Sequence, residues 1–420
     1  MPDRSAATRT QVVRQVAHWR AATVALADLE NFASAAAWRG LERYLDTHLR
    51  AQLDDAVGHL RRQGDVLAAQ AAAARSPAEW EALRRNVIKF RRLHQQIETA
   101  VDFYGDAVNS RTSPRLAALL RACDTLARRS LTAILVPLGR PTPPVLTYVD
   151  RGMGASILRA GLRLWDGRTL SVAAAIKITR HNLYRPTACL HEAGHQAAFA
   201  LGWNEQLATA LGRELAEAPA LARHWARWAS EIAADTFAFV HAGHAAVAAL
   251  HDVIAGDDTS VFAWRPRDPH PVAYLRVLLG TEMATRTFGS GPWDDLAAAW
   301  RQAYPLTRAP SELTPFLKAS VAALPRIVDV CLRRPFAAFD GRSIVELVDP
   351  LRVSPTALAG LVRDAGPALF TSPYWIHREC LRLLALSGYR AATEPGAATA
   401  VAEQFEHWML HLGNGTENTA

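Results

Sequence analysis

Apolar residues recur at helical spacing through most of the first 135 positions, as in the long segment Leu41 to Ala74. Helix starts are marked there as well. Ser76-Pro77-Ala78-Glu79 has the form of a capping box with proline at the first helical position, and Ser113-Pro114 repeats the Ser-Pro part of it. The pattern predicts a bundle of about four helices over 1–136. PLGRPTPPV, from Pro137 to Val145, breaks it and marks a domain boundary. Beyond the break come short β-prone stretches, VLTYV and LSVAAAIKITR, set around glycine-rich turns. GMGAS (Gly152 to Ser156) lacks the Gly-Lys-Ser/Thr ending of a phosphate loop and reads as a turn. Helical spacing resumes from Pro186 to about Gly256 and again from 300 to 410, where Ser354-Pro355 opens a further helix. The expected fold is mainly α with a small β-sheet. It comprises a core over 145–300, helical domains at 1–136 and 301–411, and a disordered tail at 412–420.

Composition changes this picture in two places. The formal net charge of +7 sits at the N-terminal end: residues 1–140 hold 21 Lys+Arg against 14 Asp+Glu, leaving 26 of each sign in the rest. The cluster RRNVIKFRR, Arg84 to Arg92, is its densest part. It suits a solvated helix face, and alternatively a surface for nucleic acid or an acidic partner. No apolar run reaches the roughly 18 residues of a membrane span, and no apolar stretch follows the N-terminal charges as a secretory signal requires. Cys123, Cys189, Cys331 and Cys380 are scattered without CxxC pairing. Together these features predict a cytoplasmic protein with reduced thiols.

The chemistry concentrates in CLHEAGHQAAF, Cys189 to Phe199. Four residues apart on a helix, His191 and His195 share a face and can aim two ring nitrogens at one metal ion. Glu192 projects about 100° away, toward the side where a water would sit. The metzincin continuation would need Gly and His where Ala198 and Leu201 stand, so that pattern is excluded. A third ligand is expected from WARWASEIAADTFAFV, Trp225 to Val240, whose Trp225, Trp228, Ile232 and Phe239 form an apolar stripe with Leu221 just upstream. Asp235 falls within the stripe and Glu231 beside it, and buried carboxylates there need a metal or an ion-pair partner such as Arg223 or Arg227. With Glu231 as ligand, Asp235 is one turn along, placed to accept the free ring N–H of His191.

HEAGH followed by SEIAAD resembles the gluzincin zinc metallopeptidase pattern HExxH…ExxAD. AAAIKITRHNL and DPHPVAYLRVLL resemble the edge strand and the HP-x-x-x-x-R segment of HtpX-type and CAAX-prenyl-type members, and the resemblance covers about residues 165–280. It implies a zincin-like core that binds Zn2+ through His191, His195 and Glu231 and hydrolyses peptide or protein substrates. Glu192 would be the general base, with His270 or Arg276 stabilising the oxyanion. An extended substrate would pair with the strand around Val172 to Thr179. Two other readings are a scaffold with a purely structural zinc and a protease effector tethered through the basic N-terminal helices. His241 and His244 read as structural or surface residues, Cys189 as packing, and His181, Tyr184 and Tyr274 as side chains near the site without an assigned orientation.

Overall fold

The computed structural model describes residues 4–151, 155–164, 167, 169–265 and 267–415. Helices dominate, with one three-stranded sheet. The chain forms two compact units, one of residues 1–117 and 160–173, the other of 118–159 and 174–420.

The first unit is built on α1 (Arg4–Leu26), α2 (Ala35–Arg39), α3 (Arg43–Ala73) and α4 (Pro77–Asn109), with the first residues of α5 (Pro114–Leu135). The capping box forms as expected: Ser76 Oγ accepts from Glu79 N and Glu79 Oε2 from Ser76 N, at 3.3 and 2.8 Å. On α4 the basic cluster splits by period: Val87 and Phe90 are buried, while Arg84, Arg85, Lys89, Arg91 and Arg92 are exposed. Glu81 pairs with Arg84 at 2.8 Å and Arg85 at 3.8 Å. Residues 160–173 join this unit, where Gln52 bonds Leu170 O and Val172 N, and Tyr104 bonds Ser171.

The second unit holds the sheet and α6 (Thr187–Leu201), α7 (Trp203–Glu214), α8 (Pro219–Arg227), α9 (Ala229–Ala242), α10 (His244–Ile254) and α11 (Asp258–Val261). It continues through α12 (Ala273–Phe288), α13 (Pro292–Ala303), α14 (Thr314–Arg333), α15 (Ile344–Leu347), α16 (Pro355–Ala365), α17 (Pro373–Thr393) and α18 (Ala398–Asn414). β3 (Ala174–Ile178) is the central strand, parallel to β1 (Val145–Val149) and antiparallel to β2 (Ser156–Leu158). The strand expected to receive a substrate is therefore paired on both sides, and β1 and β2 are the edges.

Three other expectations change. The proline-rich segment is no boundary, because Asp124 on α5 accepts the N–H of Thr147 on β1 at 2.6 Å. Position 300 is no boundary either: α14 packs on α12 and α7, and α17 on α10 and α9, within one unit. The tail is ordered through Asn414, because Leu412 and Gly413 are buried and Arg121 donates to Gly413 O at 2.7 Å. Residues 416–420 lie outside the described residues, as do Gly152, Met153 and Gly154 of the expected turn.

The contact that sets the second unit is α6 against α9. Gly194, inside HEAGH, lets them close: a Cβ there would stand 2.8 Å from Ala234 Cα and 2.9 Å from Phe237 Cβ. Neither neighbour is a flexible side-chain end, so the helices would have to part. Gly194→Ala is expected to cost about 1–3 kcal/mol, as overpacking of a tight core does. Thermal unfolding of that variant beside wild type checks this, and an unchanged Tm would contradict it.

Candidate metal centre

α6 starts directly after Pro186 and stops at Gly202, whose φ of 65° is a left-handed cap. This single helix carries His191 and His195 one turn apart, their rings 4.8 Å apart and at 87° to each other. The apolar stripe from Leu221 to Phe239 is buried throughout, but it spans two helices, with Trp228 between them at φ −82°, ψ 2°. Glu231 is thereby in the first turn of α9, facing α6. Glu231 Oε2 stands 3.4 Å from His191 Nε2, and its Oε1 stands 3.3 Å from His195 Nε2. One donor atom from each of the three residues lies within 4.8 Å of the others, an arrangement that could hold a metal ion.

Each imidazole is held from behind. His191 Nδ1 is 2.9 Å from Asp235 Oδ1, and His195 Nδ1 is 3.3 Å from Ser230 Oγ, leaving both Nε2 atoms toward Glu231. Asp235 has its own partner in Arg276 of α12, whose Nε and Nη2 donate to it at 2.6 and 2.8 Å. Arg276 Nη2 also reaches Glu231 Oε2 at 3.2 Å. The ion-pair partner of the two carboxylates is thus Arg276, from a helix distant in sequence, in place of Arg223 or Arg227.

Electrostatics follow from burial and these pairings. Burial alone would raise both carboxylates, but His191, His195 and Arg276 hold Glu231 far below the usual carboxylate range. Arg276 and His191 hold Asp235 at about 2 in the same way. His191 is pushed up to about 9, since its bonds to Asp235 and Glu231 outweigh desolvation. Glu192 goes the other way: it is 5% exposed, makes no hydrogen bond to any described residue, and burial raises its pKa.

These groups line an open cleft of about 1480 Å³ whose walls come from β2, α6, α9, α10, α12 and the loop before α12. That loop, DPHP, places His270 over the centre, with Nε2 3.5 Å from Glu231 Oε2. Asp268 orients it, accepting from the His270 backbone N at 3.0 Å and bonding Nδ1 at 2.6 Å. Asp268 was not anticipated, although a carboxylate two residues before a candidate histidine is a signal that could have found it. Ser230, immediately before Glu231, was missed too.

His181 lines the cleft and bonds Thr179 Oγ1 at 3.0 Å. The remaining candidates stand apart. His241 and His244 are buried elsewhere, their pKa values driven by burial to about 3 and 4. Tyr274 is buried against Phe262, and the Tyr184 side chain lies outside the described residues. All four cysteines are buried and free. Among the described residues no helix is long and apolar enough to cross a membrane.

No protein-family model matches this chain, and comparison with curated proteins and with solved structures finds no match either.

A divalent transition metal added to chelator-stripped protein is expected to raise its Tm, since a ligand that binds only the folded state stabilises it. His191→Ala, His195→Ala and Glu231→Ala should each abolish the rise. Asp235→Ala should keep it, with affinity lowered about 10- to 100-fold. Wild-type binding by Glu231→Ala would remove that residue from the ligand set.

Proposed function

We propose that the chain is a zinc-dependent endopeptidase. The observation that carries this reading is Glu192: a buried carboxylate without a hydrogen-bond partner among the described residues, lining the same cleft as three convergent candidate metal donors. Two imidazole nitrogens and one carboxylate suit zinc in a catalytic site with an open position. One such atom from each of His191, His195 and Glu231 lies within 4.8 Å of the others, close enough for a single ion to draw them together.

A zinc ion held there would supply Lewis acidity, polarising a scissile carbonyl and making water acidic enough to attack near neutral pH. The chain's own residues do the rest. Glu192, its basicity raised by burial, takes the proton of the attacking water and delivers it to the leaving nitrogen. His270, its Nδ1–H held by Asp268 and its Nε2 toward the cleft, donates to the developing oxyanion as an imidazolium, with both ring nitrogens carrying hydrogen. Arg276 has Nε and Nη2 on Asp235 and Glu231, so it positions the centre rather than touching substrate. The substrate backbone pairs with the free edge of β2, whose Ser156 and Ile157 line the cleft.

Glu192→Gln separates this reading from that of a structural metal site. Gln is nearly isosteric but cannot accept a proton, so zinc should stay at wild-type stoichiometry with little change in stability. Hydrolysis of a mixed peptide library should fall about 10²-fold or more. Equal cleavage by both proteins, with zinc bound in both, would contradict the mechanism. His270→Ala should likewise keep zinc while lowering kcat, and an unchanged kcat would take His270 out of the reaction.

A further inference from the structure

Among the described residues four arginines line the cleft: Arg159, Arg185, Arg265 and Arg276. Arg276 is held by Glu231 and Asp235, Arg185 pairs with Asp252, and Arg265 stands near Asp268. Arg159 pairs with no carboxylate among the described residues. What holds it is an aromatic ring: its guanidinium carbon lies over Phe199, 5.1 Å from the ring centroid. A guanidinium placed over a ring keeps its plane fixed while the N–H groups around its edge stay available. Arg159 is half-buried, so those groups are also partly withdrawn from water.

Both members of this pair are tied to the candidate machinery. Phe199 follows His195 by four residues on α6, as His195 follows His191. Its ring is therefore one turn beyond the metal donors on the same side of the helix, about 6 Å along the axis at the helical rise. Arg159 directly follows β2, which packs on α6 and has its outer edge free. Ser156 and Ile157 of that strand line the cleft together with Arg159. A peptide paired along β2, advancing about 3.3 Å per residue, passes the guanidinium within a few residues of the metal donors.

We propose that Arg159 is a specificity-determining residue of the cleft and binds the side-chain carboxylate of an aspartate or glutamate in the peptide, a few residues from the scissile bond. That the occupant is a peptide rests on the endopeptidase reading. The demand for a carboxylate rests on the unpaired guanidinium. A carboxylate offers two oxygens to the parallel N–H groups of the guanidinium fork, which makes a short, charge-assisted pair. An amide of the same shape offers one oxygen and turns a donor against a donor, and an ammonium meets like charge. Because Phe199 already orders the guanidinium, little side-chain freedom is lost on binding.

The test reads binding, so that it does not depend on turnover. Gly/Ser decapeptides with one central Glu, Gln or Lys are labelled with a fluorophore at the N-terminus and amidated at the C-terminus, so that the central side chain carries the only variable charge. They are titrated by anisotropy against Glu192→Gln protein in the presence of zinc. The Glu peptide should bind at least about tenfold tighter than the Gln peptide, and the Lys peptide weakest. Adding Arg159→Ala should bring the Glu peptide down to the Gln level, with zinc content and Tm little changed. Arg159→Lys keeps the charge but not the fork, and should recover only part of the preference. Arg159→Glu should reverse it, the Lys peptide now binding more tightly than the Glu peptide. Equal binding of the three peptides, no binding, or an undiminished Glu preference in Arg159→Ala would overturn the assignment. The same peptides given to the wild-type protein keep the two readings apart. Glu-selective binding without hydrolysis leaves the carboxylate site and removes the peptidase. Hydrolysis indifferent to the central residue leaves the peptidase and removes the carboxylate site.

Discussion

The centre depends on how closely two helices approach. α6 brings two histidines and α9 one glutamate, and donor atoms on separate helices converge within 4.8 Å only where the backbones nearly touch. Gly194 permits that contact, with the backbone of Ala234 where a Cβ would have to fit. The glycine stands between Glu192 and His195, so one short segment carries two of the candidate donors, the carboxylate beside them and the close contact that brings in the third. Packing and chemistry share the same turn of helix. Little freedom is left for either to vary alone.

Around this contact, charges are arranged so that each buried group has an opposite. Glu231 and Asp235 on α9 would be costly in a core without Arg276, and Arg276 would be costly without them. The cation comes from α12, so the ion pair also fixes where α12 and the DPHP loop before it lie, and hence where His270 stands over the cleft. Glu192, in the same cleft, makes no hydrogen bond to any described residue, and burial raises its pKa. A carboxylate kept basic beside neutralised neighbours is what separates an acid–base site from an ion-pair network.

What the sequence made legible was what has a local period. His191 and His195 are related by one helical turn, as are Glu231 and Asp235, and the bond between Asp235 and His191 follows once both helices exist. Non-local relations were not legible. Strand order depends on where three short segments meet, so β3 reads as an edge in sequence while β1 and β2 flank it. The break at Trp228 is hidden because the apolar stripe continues across a single non-helical residue. A run of prolines looks like a linker until Asp124 is seen to bond Thr147 across it, and a glycine-bearing tail looks loose until Gly413 is seen against α5. Asp268 escaped notice because a loop bounded by prolines has no period from which to read an orientation.

X-ray absorption at the zinc edge of loaded protein reports whether His191, His195 and Glu231 hold the ion. One zinc per chain is expected, with only nitrogen and oxygen neighbours at about 2.0–2.2 Å and the outer-shell signature of two imidazoles. A sulfur neighbour at about 2.3 Å, or an absorption spectrum unchanged in His191→Ala and His195→Ala, would contradict it.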